Sequence, residues 1–326
     1  MEKDIFIERY KRFNISDDEI TKHIQTILNF EEFSDKEIEI TTVADIKKYM
    51  KYLIDENKND YNNVIHIARY YYYIDKQDEY IHMTKYFNAS GVLENIIDRV
   101  ILYESKEKQA DFIKDIDLPP FGLDSKDLPK YTNDFMSKLN KHFPKDNCNK
   151  ILSGNNHGIP KESFTKEKEF YQNAKSFEEY LQNRHQRKIQ ELDEHYQNNR
   201  VWFEQVITKD AIELVRGNQE ILSGVIEGDK LYVTKIPYDI DNYLKTDDDV
   251  LKRYYACHCS FVRENIKDGT ENIPREWCYC SGGFAKFPFE VILDQELDVK
   301  LLKTPIEGDY VCRFEIDLKN VEYKKA

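Results

Sequence analysis

Apolar residues recur at helical spacing through the first third of the chain. Ser16-Asp17-Asp18-Glu19 predicts a capped helix start, and Ile20, Ile24, Ile27 and Leu28 follow as an apolar stripe. Thr42 opens a second predicted helix carrying Ile46, Tyr49, Met50, Leu53 and Ile54. The same spacing continues over Val64 to Ile74 and Tyr80 to Phe87, and Ser90-Gly91-Val92-Leu93-Glu94 begins another helix with Ile96, Ile97, Val100 and Ile101 behind it. Short loops between such elements imply stacked helical hairpins. The run Arg69-Tyr70-Tyr71-Tyr72-Tyr73 reads as core plus rim, because consecutive helical residues point in different directions.

Pro119-Pro120-Phe121-Gly122 interrupts this pattern and marks an expected domain boundary. Ser176 to Ile207 is charged and free of Gly and Pro, which predicts a long bracing helix; Thr208-Lys209-Asp210 then caps a short helix ending at Gly217-Asn218. From there the apolar period drops from about 3.6 to about 2. Ile226-Glu227-Gly228-Asp229 and Ile306-Glu307-Gly308-Asp309 repeat one turn, predicting two hairpins. In the last strand Tyr310, Cys312, Phe314 and Ile316 alternate with charged residues, so Cys312 is expected to face the core. The expected fold is α+β. A helical N-terminal domain (1–118) and a helical connector (119–216) precede a domain (217–326) with an antiparallel four-stranded sheet of two hairpins packed with helices.

Length and charge narrow the function classes. A chain of 326 residues exceeds one ordinary core, and its net charge of −13 argues against nucleic acid and anionic membranes as partners. The N-terminal MEKDIFIERYKRF lacks an apolar h-region, and nowhere do 18 apolar residues run together, so a cytoplasmic address is expected. In that reducing setting, clustered cysteines bind metal, react or pack.

Four of the six cysteines form two Cys-x-Cys pairs, Cys257/Cys259 and Cys278/Cys280. They would suit zinc, with His258 or Cys312 as substitute ligands, only if both pairs lie in extended chain. On a helix, residues i and i+2 diverge by about 200°. The run Asp247-Asp248-Asp249 reads as a helix start whose turns carry toward the first pair. A reactive thiol is the second reading. Cys280 precedes a helix predicted over Ala285 to Leu293, where the helix dipole favours thiolate, and His258 or His157 would be the base, oriented by Glu264 or Asn156. Gly282 and Gly283 would let a ligand carboxylate approach backbone N–H groups, and Lys235, Arg263 and Lys286 are cations for the same anion. Packing is the third reading: the thiols lie among Tyr254, Tyr255, Phe261, Trp277 and Tyr279, His157 could be a turn residue, and Lys235 could snorkel outward.

The stretches NQEILSG, YVTKIPY, KRYYACHCSFVRE, WCYCSGGFAKFPFEVIL and EGDYVCRFEI, with the upstream blocks Cys148 to Leu152 and Asn155 to Pro160, resemble a family of uncharacterised prokaryotic proteins, a domain of unknown function. The ending, a helix followed by a hairpin containing Gly-Asp-x-x-Cys-Arg-Phe, is similar to the close of 4-vinyl-reductase-type small-molecule-binding domains and of L-2-amino-thiazoline-4-carboxylic acid hydrolases. That resemblance implies a cleft for a small organic ligand. The expected function is therefore binding of a small anionic organic molecule near the cysteine pairs. A cysteine-dependent hydrolase of a small ring or amide and a zinc-stabilised interaction module are the alternatives. No phosphate loop, Rossmann fingerprint or His-Glu-x-x-His motif is present, and oligomeric state is not legible.

Overall fold

The computed structural model describes residues 7–8 and 16–325. Ser16 and Glu19 form a capping box at the start of α1 (Asp17–Ser34), and Thr42 donates through both its N–H and its hydroxyl to Asp45 at the start of α2 (Val43–Asp55). The next two helices, α3 (Asn62–Tyr73) and α4 (Gln77–Ala89), complete a helical core around Ile27, Phe30, Tyr49, Ile67 and Tyr71. Tyr70 and Tyr71 are fully buried while Tyr72 and Tyr73 sit at the rim, as the side-chain directions on a helix require. The described residues up to Ser90 and Pro119–Asp127 make one compact unit; Phe121 packs on Tyr61 and Phe87 there.

Gly91–Leu118 and the chain from Leu128 onward make the second unit. Its helices begin with α5 (Val92–Arg99), α6 (Lys106–Asp115), α7 (Leu128–His142), α8 (Lys145–Leu152) and α9 (Thr165–Asn173). The bracing helix α10 spans Phe177–Gln197, shorter than its uninterrupted composition predicts. Asn199 takes a left-handed conformation, and the chain turns into a small hairpin of β1 (Val201–Trp202) and β2 (Gln205–Val206), which buries Trp202. Thr208 caps α11 (Lys209–Arg216) by accepting the Ala211 N–H.

The sheet follows the predicted hairpins. The strand β3 (Val225–Glu227) turns through Gly228, at φ +60°, into β4 (Lys230–Thr234). Three short helices then intervene: α12 (Ile240–Lys245), α13 (Asp249–Ala256), capped by Asp248, and α14 (Arg263–Asp268). A 3₁₀ turn over Arg275–Cys278 leads into α15 (Tyr279–Leu293), which begins earlier than its glycines suggest and contains Gly282, Gly283 and Pro288. The last strands, β5 (Val299–Lys303) and β6 (Arg313–Asp317), complete an antiparallel sheet in the order β3-β4-β6-β5. The fold is α+β as expected. Leu231, Val233, Leu301, Phe314 and Ile316 of the sheet pack against Phe289, Ile292 and Leu293 of α15 and Phe177 and Tyr180 of α10. Burying each such side chain contributes roughly 1.5–3 kcal/mol. Cys312 is buried beside them. Among the described residues, no helix is long and apolar enough to cross a membrane.

Candidate functional site

The end of β4 is held from two sides. Lys235 N–H donates to the Cys312 carbonyl at 2.9 Å, and His258 Nε2 bonds the Ile236 carbonyl at 2.5 Å. This clamp joins the segment before β6 to the turn after α13, so the first Cys-x-Cys segment and Cys312 meet around one strand end. Lys235 does not run out to solvent. Its ammonium donates to Ser281 Oγ at 3.3 Å and lies 4.7 Å from the centre of the Phe284 ring, half-buried over the first turns of α15.

Facing it is the loop after α8. Asn156 donates to the Leu152 carbonyl at 2.5 Å, Asn95 donates to the Asn156 carbonyl at 2.9 Å, and Arg99 donates to the Ile151 carbonyl at 3.1 Å. The loop backbone lies directly on α15: a Cβ on Gly283 would stand 2.6 Å from Ser153 C and closer still to the Gly154 carbonyl oxygen. That approach brings His157 Nε2 to 3.9 Å from Cys280 Sγ, with the exposed imidazole set edge-on to Phe284 at 5.3 Å. His157 is exposed as a residue, but its ring nitrogen facing Cys280 is partly enclosed; that desolvation lowers its pKa to about 4, and the positive charge of Lys235 adds to the shift. Burial pushes Cys280 up to about 12, opposed by the side-chain amide of Asn156 within hydrogen-bonding reach and by Lys235. At neutral pH the pair is thiol and neutral imidazole, despite the N-terminal end of α15.

The other expected site residues are placed differently. His258 is tied to the Ile236 carbonyl, packs edge-on to Tyr238 at 5.4 Å and is lowered by burial to about 3. Glu264 does not orient it: Glu264 accepts from the Tyr254 hydroxyl at 2.9 Å and pairs with Lys267. Arg263 is buried between the faces of Tyr238 and Tyr254, 4.0 and 4.1 Å from the ring centres, and donates to the Tyr254 carbonyl. Lys286 is buried and spent on an ion pair with Glu290 one turn along α15. Gly282 and Gly283 admit protein rather than ligand: a Cβ on Gly282 would meet Val299 at 3.3 Å and Phe314 at 3.5 Å, and Gly283 is covered by the Ser153-Gly154 backbone. The conformational freedom expected to serve a carboxylate serves helix–strand and helix–loop contact instead.

All six cysteines are free thiols. Burial raises the pKa of Cys278 far above its ordinary value, with Cys312, Cys257, Cys259 and Cys280 each adding to it, so five thiols share one neighbourhood. They do not converge. Cys259 accepts the Trp277 indole N–H at 3.3 Å, Cys278 and Cys312 belong to the apolar core of the sheet, and Cys280 faces His157. Among the described residues, no three His, Cys, Asp or Glu side chains are grouped so that they could hold a metal ion. The zinc arrangement of Cys257, Cys259, Cys278 and Cys280 is therefore not assembled here: Cys259 is taken by Trp277, Cys280 faces His157, and Cys278 is packed in the apolar core. Cys148 is apart from them, donating to the Phe143 carbonyl at 3.4 Å.

Sequence reasoning missed Ser281 and Gly154. Ser281 carries a weak signal, a small hydroxyl residue in the first turn of a helix; Gly154 carries none, because the need for glycine there comes from the distant Arg99 guanidinium packed against it. Residues 238–323 match the model of a family of unknown function (DUF6144), which takes in both cysteine pairs, Cys312, Ser281 and Arg263 but not Lys235, Asn156 or His157. No curated protein and no solved structure matches the chain.

Proposed function

We propose that the second unit binds a small anionic organic molecule at Lys235. The observation that carries this reading is the company Lys235 keeps. Among the described residues no carboxylate pairs with its ammonium, although the chain holds 61 acidic residues. Its titratable neighbours Cys280, Cys259, Cys312, His157 and His258 are all shifted toward their neutral forms. Several cations of this unit have partners that Lys235 lacks: Arg184 pairs with Glu167, Arg313 with Glu220 and Lys286 with Glu290, while the half-buried Arg99 and Arg253 donate to backbone carbonyls. A half-buried positive charge without a counter-charge favours an anion from solution, and an ion-assisted hydrogen bond contributes roughly 1.5–3 kcal/mol. Ser281 adds a hydroxyl hydrogen, since its oxygen already accepts from Lys235.

Calorimetric titration of the full chain with succinate, glutarate, benzoate and inorganic phosphate tests this. At least one carboxylate should bind, and Lys235→Met should weaken it about ten- to hundredfold, the size of one such bond. Binding that survives Lys235→Met unchanged, or no binding of any of the four, would overturn the reading.

A further inference from the structure

Two atoms at this site point beyond binding. The Cys280 thiol lies 3.9 Å from a neutral imidazole nitrogen, and the nearby Asn156 side chain, 1% exposed, keeps its Oδ1 without a hydrogen-bond partner while its amide donates to the Leu152 carbonyl. A buried acceptor with no donor costs roughly 1–3 kcal/mol. A ligand N–H supplied there would remove that cost. Together with Lys235 on the adjoining side, the constellation has a nucleophile, a base, an anion contact and an acceptor for a donor on the ligand.

We propose that Cys280 is an acyl-accepting nucleophile with His157 as its base, acting on a small carboxylate-bearing amide or ester, and this rests on the anion reading of Lys235. The carboxylate meets the Lys235 ammonium and the N–H of a scissile amide meets Asn156 Oδ1. Cys280 Sγ attacks the acyl carbon as His157 Nε2 takes the thiol proton. The carbon–nitrogen or carbon–oxygen bond breaks, and the leaving amine or alcohol takes that proton from His157. Water then attacks the thioester, giving its proton to His157; the carbon–sulfur bond breaks and the sulfur recovers the proton from the imidazolium. The products are a carboxylic acid and the amine or alcohol. No oxidant, reductant or metal enters this balance.

The resting protonation state makes the reading specific. Where a pre-formed thiolate–imidazolium pair reacts, activity falls as the imidazolium loses its proton; here the neutral imidazole is the active form, so the rate should stay level at all pH values well above the His157 pKa of about 4. An unassisted thiol of pKa about 12 would instead react about tenfold faster per pH unit, following its thiolate fraction.

Mono-4-nitrophenyl succinate and 4-nitrophenyl acetate serve as acyl donors with the full chain, read by nitrophenol release and by intact-mass and peptide mapping. The succinyl adduct should form on Cys280, with a rate level between about pH 5.5 and 8. Cys280→Ala should remove it, and His157→Gln, at an exposed position that the fold tolerates, should slow it about a hundredfold and restore the rise with pH. Lys235→Met should erase the preference for the succinyl over the acetyl donor. Acylation elsewhere, or a rate indifferent to His157→Gln, would overturn the proposal. Lys235-dependent succinate binding without acylation would overturn the acyl transfer alone and leave the anion site standing. Acylation of Cys280 with no Lys235 dependence would overturn the anionic substrate.

Discussion

In the helical unit, Tyr71 shares a 2.5 Å hydrogen bond with Thr41, Tyr70 donates to Glu39 at 2.7 Å, and Lys36 closes on Asp45 at 2.8 Å. Around Cys280 the corresponding groups are left open: Lys235 lacks a carboxylate among the described residues, Asn156 Oδ1 lacks a donor, and the polar contact of His157 Nε2 is a thiol at 3.9 Å. Both regions bury polar atoms, and these three contacts of the first spend theirs on its own chain, although the buried His66 Nδ1 there has no hydrogen-bond partner. Groups that are spent internally stabilise a fold; groups left open give up part of that stability and remain available to something else. The contrast separates two kinds of substitution.

The largest effect is expected in the helical core. Phe30 is fully buried and packs on Tyr49 at 4.9 Å, so Phe30→Ala should cost roughly 3–5 kcal/mol in denaturant unfolding of that unit. Alkylation of Cys280 by iodoacetamide under native conditions should be unaltered; a changed rate would break the separation. Gly283→Ala should cost at least roughly 1–3 kcal/mol, because the added methyl meets the Ser153-Gly154 backbone rather than a side chain that can turn away. Its further consequence is local. The His157–Cys280 contact should be lost, measurable as an imidazole titration returning toward its ordinary value in NMR, and an unchanged His157 would show that the contact does not depend on the loop's seating.

The smallest effect is a pH dependence. His66 is buried against His23, with ring centres 3.3 Å apart, and burial lowers its pKa to about 3. Its folded pKa lies below the unfolded value of about 6.5, so the unfolded chain binds the proton first and stability falls with decreasing pH across that interval. Between pH 7 and 6 the loss from this residue should stay under about 1 kcal/mol. Replacement by Gln should reduce the slope of the unfolding midpoint against pH in that range. An identical slope would place the titration elsewhere.

Much of the architecture was legible because its signals are local. Ser16 with Glu19, Thr42 with Asp45, and Thr208 are capping residues whose partners lie three positions away, and the Gly228 turn fixes its own hairpin. The end of α10 was not legible: nothing in Asn198-Asn199-Arg200 forbids a helix, and the stop follows from burying Trp202 in a hairpin. Nor was the start of α15, since glycines in its first turns weaken helix propensity while serving tertiary contact. The candidate site divides the same way. Cys280 at a helix start and His157 as a base were readable residue by residue, but their meeting spans 123 positions and depends on Asn95 and Arg99 holding the intervening loop. Lys235 was readable as a cation for an anion, but whether it turned inward or snorkelled outward was not, because Ser281 and Phe284, which meet its ammonium, lie far along the chain.

The contact between Gly154 and Gly283 ties two distant positions together during sequence divergence. A side chain on Gly283 would strike main-chain atoms, and one on Gly154 would strike the Arg99 guanidinium that helps to clamp the loop. No change at either position can be compensated by trimming the other, because neither has anything left to trim. A lineage that drifts at one glycine must re-thread the loop, and with it the register between His157 and Cys280, so chains that keep the imidazole and the thiol should keep both glycines, while those that lose one are free to lose all four.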